Sequence, residues 1–286
     1  AESAYWPGGE LVYRYPSDPR GSFDADGRVV GHVNSLGLRG PECELEPLSG
    51  RARVALLGDS FTLGIGVRDE DTLPARLEAA LGPERFEVLN FGVSATDTLQ
   101  QVQYLEGYAL RFAPRAVVLV FFLNDTERRS TMRYLTEPRA LVGLRRYSHL
   151  LELLVASLER PLLRGPMEAH SREGYSEQSE PWLAVREALL RARDLLDERG
   201  IAFAVAIHPV LVDLAPGRYP FEDIHATVRS FCKDAGIPVV DLHEALSGER
   251  AAELWVHPND RHPNVRSNRL SAEHRAAFLK REGLVP

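Results

Sequence analysis

Ala116-Val-Val-Leu-Val-Phe-Phe122 is an unbroken apolar run with no charge, followed at once by Leu123-Asn124-Asp125. A strand with one wet face alternates apolar and polar residues. A run apolar throughout belongs to a strand buried on both faces, as inside a parallel sheet covered by helices. Ile201-Ala-Phe-Ala-Val-Ala-Ile207 repeats the pattern and ends in His208-Pro209. Outward from these two, shorter runs at Val54-Ala-Leu-Leu57, Phe86-Glu-Val-Leu89 and Ile237-Pro-Val-Val240 alternate with amphipathic stretches near 72–81, 98–111, 182–199, 222–235 and 271–282. That order, strand then helix repeated, predicts the α/β class: a three-layer α/β/α sandwich with a mainly parallel five-stranded sheet.

The bulk properties agree with a globular body. The chain has 286 residues, 44% hydrophobic and 26% charged, enough for one large domain or two small ones. Net charge is 34 − 41 = −7 and basic residues form no block, which argues against nucleic acid or an anionic membrane surface as the main partner. No charge-free apolar stretch reaches the roughly 18 residues that a bilayer span needs. Cys43 and Cys232 make at most one bridge and lack partners at metal-ligand spacing, so a disulfide scaffold and a zinc-finger module are both excluded. The first residue, Ala1, fits a mature chain as well as any other and decides nothing about compartment.

Residues 1–50, rich in Gly, Pro and aromatics without a sustained period, read as an extended arm lying on a larger body at 51–286. One segment breaks the alternation. Residues 126–180 carry Arg128, Arg129, Arg133, Arg139, Arg145 and Arg146, then Leu150-Leu-Glu-Leu-Leu-Val155. An insertion of this length after a strand forms a lid or a surface for a protein partner, unless 141–158 is one more packed helix. The polar stretch His170 to Glu180 reads as mobile.

In open parallel sheets ligands bind beyond the carboxyl ends of the strands. The residues there form an unusual set: Gly58-Asp59-Ser60 after the first run, Asn90-Phe-Gly92 after the second, Asn124 after the third, His208 after the fourth, and Asp260-Arg-His262 beyond the fifth. Alone, Ser60 reads as a helix cap, Gly92 as a turn glycine and Asn124 as a strand end. Together they supply a chemistry. A hydroxyl nucleophile needs a base within hydrogen-bond reach and a carboxylate that fixes the base's tautomer. Asp260 and His262, two apart on an extended stretch, point the same way. Negative charge developing on a tetrahedral intermediate needs fixed donors, for which the Gly92 N–H and the Asn124 amide qualify.

With these four blocks in order, the chain resembles the SGNH subgroup of GDSL-type hydrolases, whose Ser, Gly, Asn and His match Ser60, Gly92, Asn124 and His262. Leu57-Gly-Asp-Ser-Phe-Thr-Leu-Gly-Ile-Gly-Val67 is similar to the first block and Asp260-Arg-His-Pro-Asn264 to the last. In the arm, Asn34-Ser-Leu-Gly-Leu-Arg-Gly-Pro41 resembles a segment of bacterial extracytoplasmic members, which implies a periplasmic or secreted location. The resemblance implies a flavodoxin-like sheet and ester hydrolysis, or transfer of the acyl group, through an acyl-serine without a cofactor or metal. Ser60 would be the nucleophile, His262 the base and Asp260 its orienting acid. Ser60, Gly92 and Asn124 would form the oxyanion hole, with Asp59, His208 and His257 as further pocket residues. The expected substrate is a small-molecule or carbohydrate ester, O-acetyl esters first. Many members place the acid three residues before the histidine, where this chain has Asn259.

Rival readings stay in view. A shift of register would make His257 the base, although no Asp lies two or three residues before it. Gly92-Val-Ser94-Ala-Thr96 falls one glycine short of a nucleophile elbow. Gly64-Ile-Gly66 falls short of a dinucleotide fingerprint. His257, Asp260 and His262 lack a third element for a metal site. His225 and His243 read as helix-surface residues. From a different class comes a binding module that keeps the cleft, holds a glycan and does no chemistry.

Overall fold

The computed structural model describes residues 10–14, 28–47, 50–126, 171–258 and 260–285. Most of the insertion, 127–170, thus lies outside the described residues, as do Asn259 and the arm's first nine positions.

Five parallel strands form the centre: β3 (Ala52–Gly58), β4 (Phe86–Gly92), β5 (Ala116–Phe121), β6 (Ala202–Ile207) and β7 (Val239–Asp241), in spatial order β4-β3-β5-β6-β7. This is the expected flavodoxin-like arrangement, and strand order reverses between β3 and β5. Alternation along each strand divides the core in two. Ala55, Leu57, Val117, Leu119, Val205 and Ile207 face one layer, while Val54, Leu56, Val118, Val120, Ala204 and Ala206 face the other. Helices α3 (Thr98–Gly107), α4 (Glu180–Asp197) and α5 (Glu222–Asp234) cover the first face; α2 (Leu73–Leu81) and α7 (Val265–Arg281) cover the second, and a short α6 (His243–Leu246) follows β7.

The helices begin where their caps put them. Asp97 accepts from Gln100 N–H while the Gln100 side chain accepts from Asp97 N–H, a capping box that starts α3. Thr72, Ser179 and Asn264 cap α2, α4 and α7. Helix α7 starts six residues before the expected stretch. Its first turns bury Ser267, Asn268 and Ser271, so apolar periodicity was silent there. Strand β7 runs 239–241 instead of 237–240, because Pro238 has no N–H and contributes only its carbonyl, to Val205.

The arm is partly regular. Strands β1 (Glu10–Arg14) and β2 (Arg28–His32) pair antiparallel, and the following turn sends Leu38 into the first core layer. Within 171–179, read from the sequence as mobile, Ser171 and Tyr175 are buried while Arg172, Glu173, Ser176, Glu177 and Gln178 are exposed. Tyr175 is buried against Phe121 and Trp182 and donates its hydroxyl to Leu123 O at 3.0 Å. Cys43 and Cys232 are free thiols, and burial pushes Cys232 up to about 12.

Candidate active site

Ser60 opens a one-turn helix, α1 (Ser60–Leu63), directly beyond β3. Asp59 caps that turn: its Oδ1 accepts the Phe61 N–H at 2.9 Å. At the other end Gly64 takes a left-handed φ of 87° and its N–H returns to Ser60 O. Among the described residues the Ser60 N–H has no acceptor, as befits the first residue of a helix.

The last expected block comes from the far end of the chain. Strands β8 (Trp255–His257) and β9 (Asp260–Pro263) form a small antiparallel hairpin with an irregular register. Asp260 Oδ1 accepts the His262 backbone N–H at 3.0 Å and the ring Nδ1–H at 2.5 Å. A carboxylate on Nδ1 makes that nitrogen the donor and leaves Nε2 a bare acceptor. Nε2 faces Ser60 Oγ at 3.0 Å, across a sequence separation of 202 residues. Ser60, His262 and Asp260 are thus in line. His257, the rival base, is buried on the neighbouring strand, and Ser94 sits in the turn after β4.

Asn124 lies in a 3₁₀ turn after β5, with its amide nitrogen 3.5 Å from Asp59 Oδ2. Since β3 and β5 are neighbours, Ser60 and Asn124 flank the crevice where strand order reverses. Gly92 ends β4, and its N–H donates to Asn90 Oδ1 at 2.9 Å instead of facing the crevice unpaired. Its lack of a side chain also makes room: a Cβ would stand 2.2 Å from Leu63 N and 2.7 Å from Leu63 Cα. Only glycine lets β4 pass this close to α1. Three residues on, Ala95 holds φ 59°, a conformation unusual for a non-glycine and one that gathers near functional sites.

Asp59 and His208 stand behind the crevice. Both are buried, and burial pushes the Asp59 carboxyl up against the Phe61 hydrogen bond and the attraction of His262. Beside it Asp125 is raised well above the usual carboxylate range, first by burial and then by the Asp59 charge, while Thr98 donates to its Oδ2 at 2.8 Å. His208 donates Nδ1–H to Pro209 O at 3.0 Å, and burial drives its pKa down to about 3, so the ring is neutral.

Sequence reasoning missed two features. Phe61 packs edge-on against His208 at 5.0 Å and His262 at 5.4 Å, and tilted against Phe122 at 4.3 Å. It holds the imidazole in place, and its position beside Ser60 was the available signal. His225 and His243, expected on helix surfaces, are buried. His225 Nδ1–H donates to Asp241 Oδ1 at 2.9 Å, Tyr219 OH lies 3.1 Å from its Nε2, and His243 stacks on Tyr219 at 4.4 Å. The strand-end Asp241 draws His225 inward. A charge placed beyond an apolar run was visible, but its partner was not. Among the described residues no group of three or more His, Cys, Asp or Glu side chains could hold a metal ion.

A model of the GDSL-like lipase/acylhydrolase family matches residues 56–270. Solved structures share the fold at low identity. A protein assigned to the G-D-S-L lipolytic family from Desulfitobacterium hafniense DCB-2 is 14% identical, with TM-score 0.51 over 80% of this chain and 100% of its own. The acetyl xylan esterase AlAXEase is 15% identical, with TM-score 0.51 over 79% of this chain and 98% of its own. No curated protein sequence matches the chain.

Proposed function

The chain belongs to the GDSL-like lipase/acylhydrolase family, a family of ester hydrolases, and we propose that it cleaves acyl esters through an acyl-serine formed on Ser60. The observation that carries the proposal is the line Ser60 Oγ, His262 Nε2, Asp260 Oδ1, with contacts of 3.0 and 2.5 Å.

Ser60 Oγ attacks the ester carbonyl while its proton passes to His262 Nε2. Asp260 keeps Nδ1 protonated and stabilises the imidazolium. The oxyanion is held by the Ser60 N–H and the Asn124 amide. The Gly92 N–H joins them once Asn90 Oδ1 turns away. Collapse expels the alcohol, which takes the proton back from His262, and water then attacks the acyl-enzyme with His262 as base. Asp59 orders the turn and does not react.

O-acetylated carbohydrate is the substrate class we favour, supported by the resemblance to extracytoplasmic members and by an acetyl xylan esterase that shares the fold. The same resemblance supports a periplasmic or secreted location. Among the described residues no helix is long and apolar enough to cross a membrane.

Two measurements test the reading. A fluorophosphonate probe followed by peptide mass mapping should label Ser60. Ser60→Ala should melt like the parent chain yet lose turnover of a short-chain nitrophenyl ester. An unlabelled Ser60 together with undiminished turnover in the variant would remove it as nucleophile.

A further inference from the structure

We propose that Arg39, a residue of the N-terminal arm, is a positioning residue for Ser60: its guanidinium staples the carboxyl end of the one-turn helix that carries the hydroxyl. The proposal rests on Ser60 being the nucleophile.

A helix of one turn cannot hold itself. Nucleation costs more than a single hydrogen bond returns, so α1 depends on what grips its two ends. Asp59 grips the first. At the second, the chain leaves the helix through Gly64 and runs to Val67, so that 63–67 present five carbonyls at this end. Arg39 collects three of them. Its Nη1 donates to Leu63 O at 3.0 Å and to Gly64 O, and its Nη2 donates to Val67 O at 2.5 Å. The third nitrogen, Nε, donates to Asp69 Oδ1 at 2.9 Å. The side chain is completely buried, and a cation at a helix carboxyl end is also favoured by the helix dipole.

The residues gripped this way are the ones that hold Ser60. The N–H groups of Gly64 and Ile65 donate to Ser60 O at 3.0 and 3.3 Å. Arg39 therefore acts on Ser60 through two successive peptide units, the Leu63 carbonyl with the Gly64 amide and the Gly64 carbonyl with the Ile65 amide, both of which end on the Ser60 carbonyl.

The arm is shaped to deliver this side chain. Asn34 Oδ1 accepts from Leu36 and Leu38 N–H at 3.0 and 2.9 Å, closing a turn. Arg39 then pairs with Val33 in an isolated bridge. Strand β2 crosses directly over the guanidinium, where a Cβ on Gly31 would lie 2.5 Å from Nη2. Asp69 is fixed in turn by the His32 N–H at 3.0 Å and the His32 ring at 2.7 Å. A lysine, with one nitrogen and no fork, cannot serve carbonyls spread over five residues.

The test uses the full chain in three variants, Arg39→Met, Arg39→Lys and Gly31→Ala, the last keeping the arginine but pushing it aside. Three quantities are read: kcat and KM on a short-chain nitrophenyl ester, the fluorophosphonate labelling rate, and amide hydrogen exchange over 61–67. We expect kcat and labelling rate to fall at least tenfold with KM within twofold. Exchange at Ile65 should speed up by a similar factor while the sheet amides stay protected. If Arg39→Met does not fold, Gly31→Ala and Arg39→Lys carry the same expectation. Unchanged kcat with unchanged exchange at 61–67 in a folded variant overturns the proposal, as does a loss of kcat that only tracks a global loss of protection. If the parent chain neither labels nor turns over ester, the esterase reading fails on its own, and the exchange data still decide whether Arg39 holds the turn.

Discussion

His262 and His208 illustrate two ways of fixing an imidazole, the first by a carboxylate and the second by burial and a backbone carbonyl. Asp260 holds His262 by its Nδ1–H, so an amide there, whose NH2 can donate to Nδ1, should favour the wrong tautomer. Asp260→Asn is expected to lower kcat by roughly 10³–10⁴-fold with little change in melting temperature. A loss below tenfold, measured on the same nitrophenyl ester, would show that the carboxylate is dispensable. His208 is held neutral by burial at about 3, against an ordinary 6.5. Its folded pKa is depressed, so between those values the unfolded chain binds the extra proton. The associated stability is complete above pH 6.5 and is lost as pH falls toward 3. The slope attributable to this ring is about 1.4 kcal/mol per pH unit in that window. His208→Gln can still donate to Pro209 O, and it should remove that slope from denaturant unfolding measured between pH 4 and 6; parallel curves for parent and variant would refute it. Ser60, Asn124 and His262 were legible because each follows an apolar run or sits in a short motif. Phe61 and the Asp241–His225 pair were not, because their partners lie far along the chain and only the fold brings them together.

Among the elements, α1 and α7 depend most on what lies against them. Gly92 was legible as a glycine with a task, but a second task was hidden: the missing Cβ also makes room for the Leu63 backbone, which no side-chain rotation can relieve. Gly92→Ala should therefore push α1 off β4, costing about 1–3 kcal/mol in stability and displacing Ser60. A variant with the parent's melting temperature and turnover would show that the turn yields freely. Helix α7 was half hidden because its inward row is polar: Ser267, Ser271 and Arg275 recur at every fourth position. Arg275 is fully buried, its guanidinium has no hydrogen-bond partner among the described residues, and burial lowers its pKa to about 9. It stays charged at neutral pH in an apolar layer, and replacing such a charge by a hydrophobic side chain commonly stabilises. Arg275→Met is expected to stabilise the fold, visible as a higher denaturant midpoint. A loss would mean that the guanidinium is compensated in solution.

For the molecule as a whole, the sheet was legible from its buried strands, whereas the dependence of that sheet on the arm was not. Composition separated residues 1–50 from 51–286, and the contacts tie the two together. Arg53, buried on β3, donates to Leu45 O at 2.6 Å and Glu46 O at 3.3 Å as well as to Glu87 Oε2. Tyr108 OH donates to Leu36 O at 2.5 Å, and Leu38 completes the layer over β3. With Arg39 and its three carbonyls, removing the arm would strand several buried polar groups at about 1–3 kcal/mol each. That total rivals the 5–15 kcal/mol by which whole domains are typically stable. We therefore propose that the arm from β2 onward is part of the folding unit. A chain beginning at Arg51 should show no cooperative thermal transition by circular dichroism and no fluorophosphonate labelling. One beginning at Arg28, which keeps these contacts and gives up the β1 pairing, should melt within a few degrees of the parent and label normally. A cooperative melt of the shorter chain near the parent's temperature would make the arm an accessory, with the clefted sheet sufficient by itself.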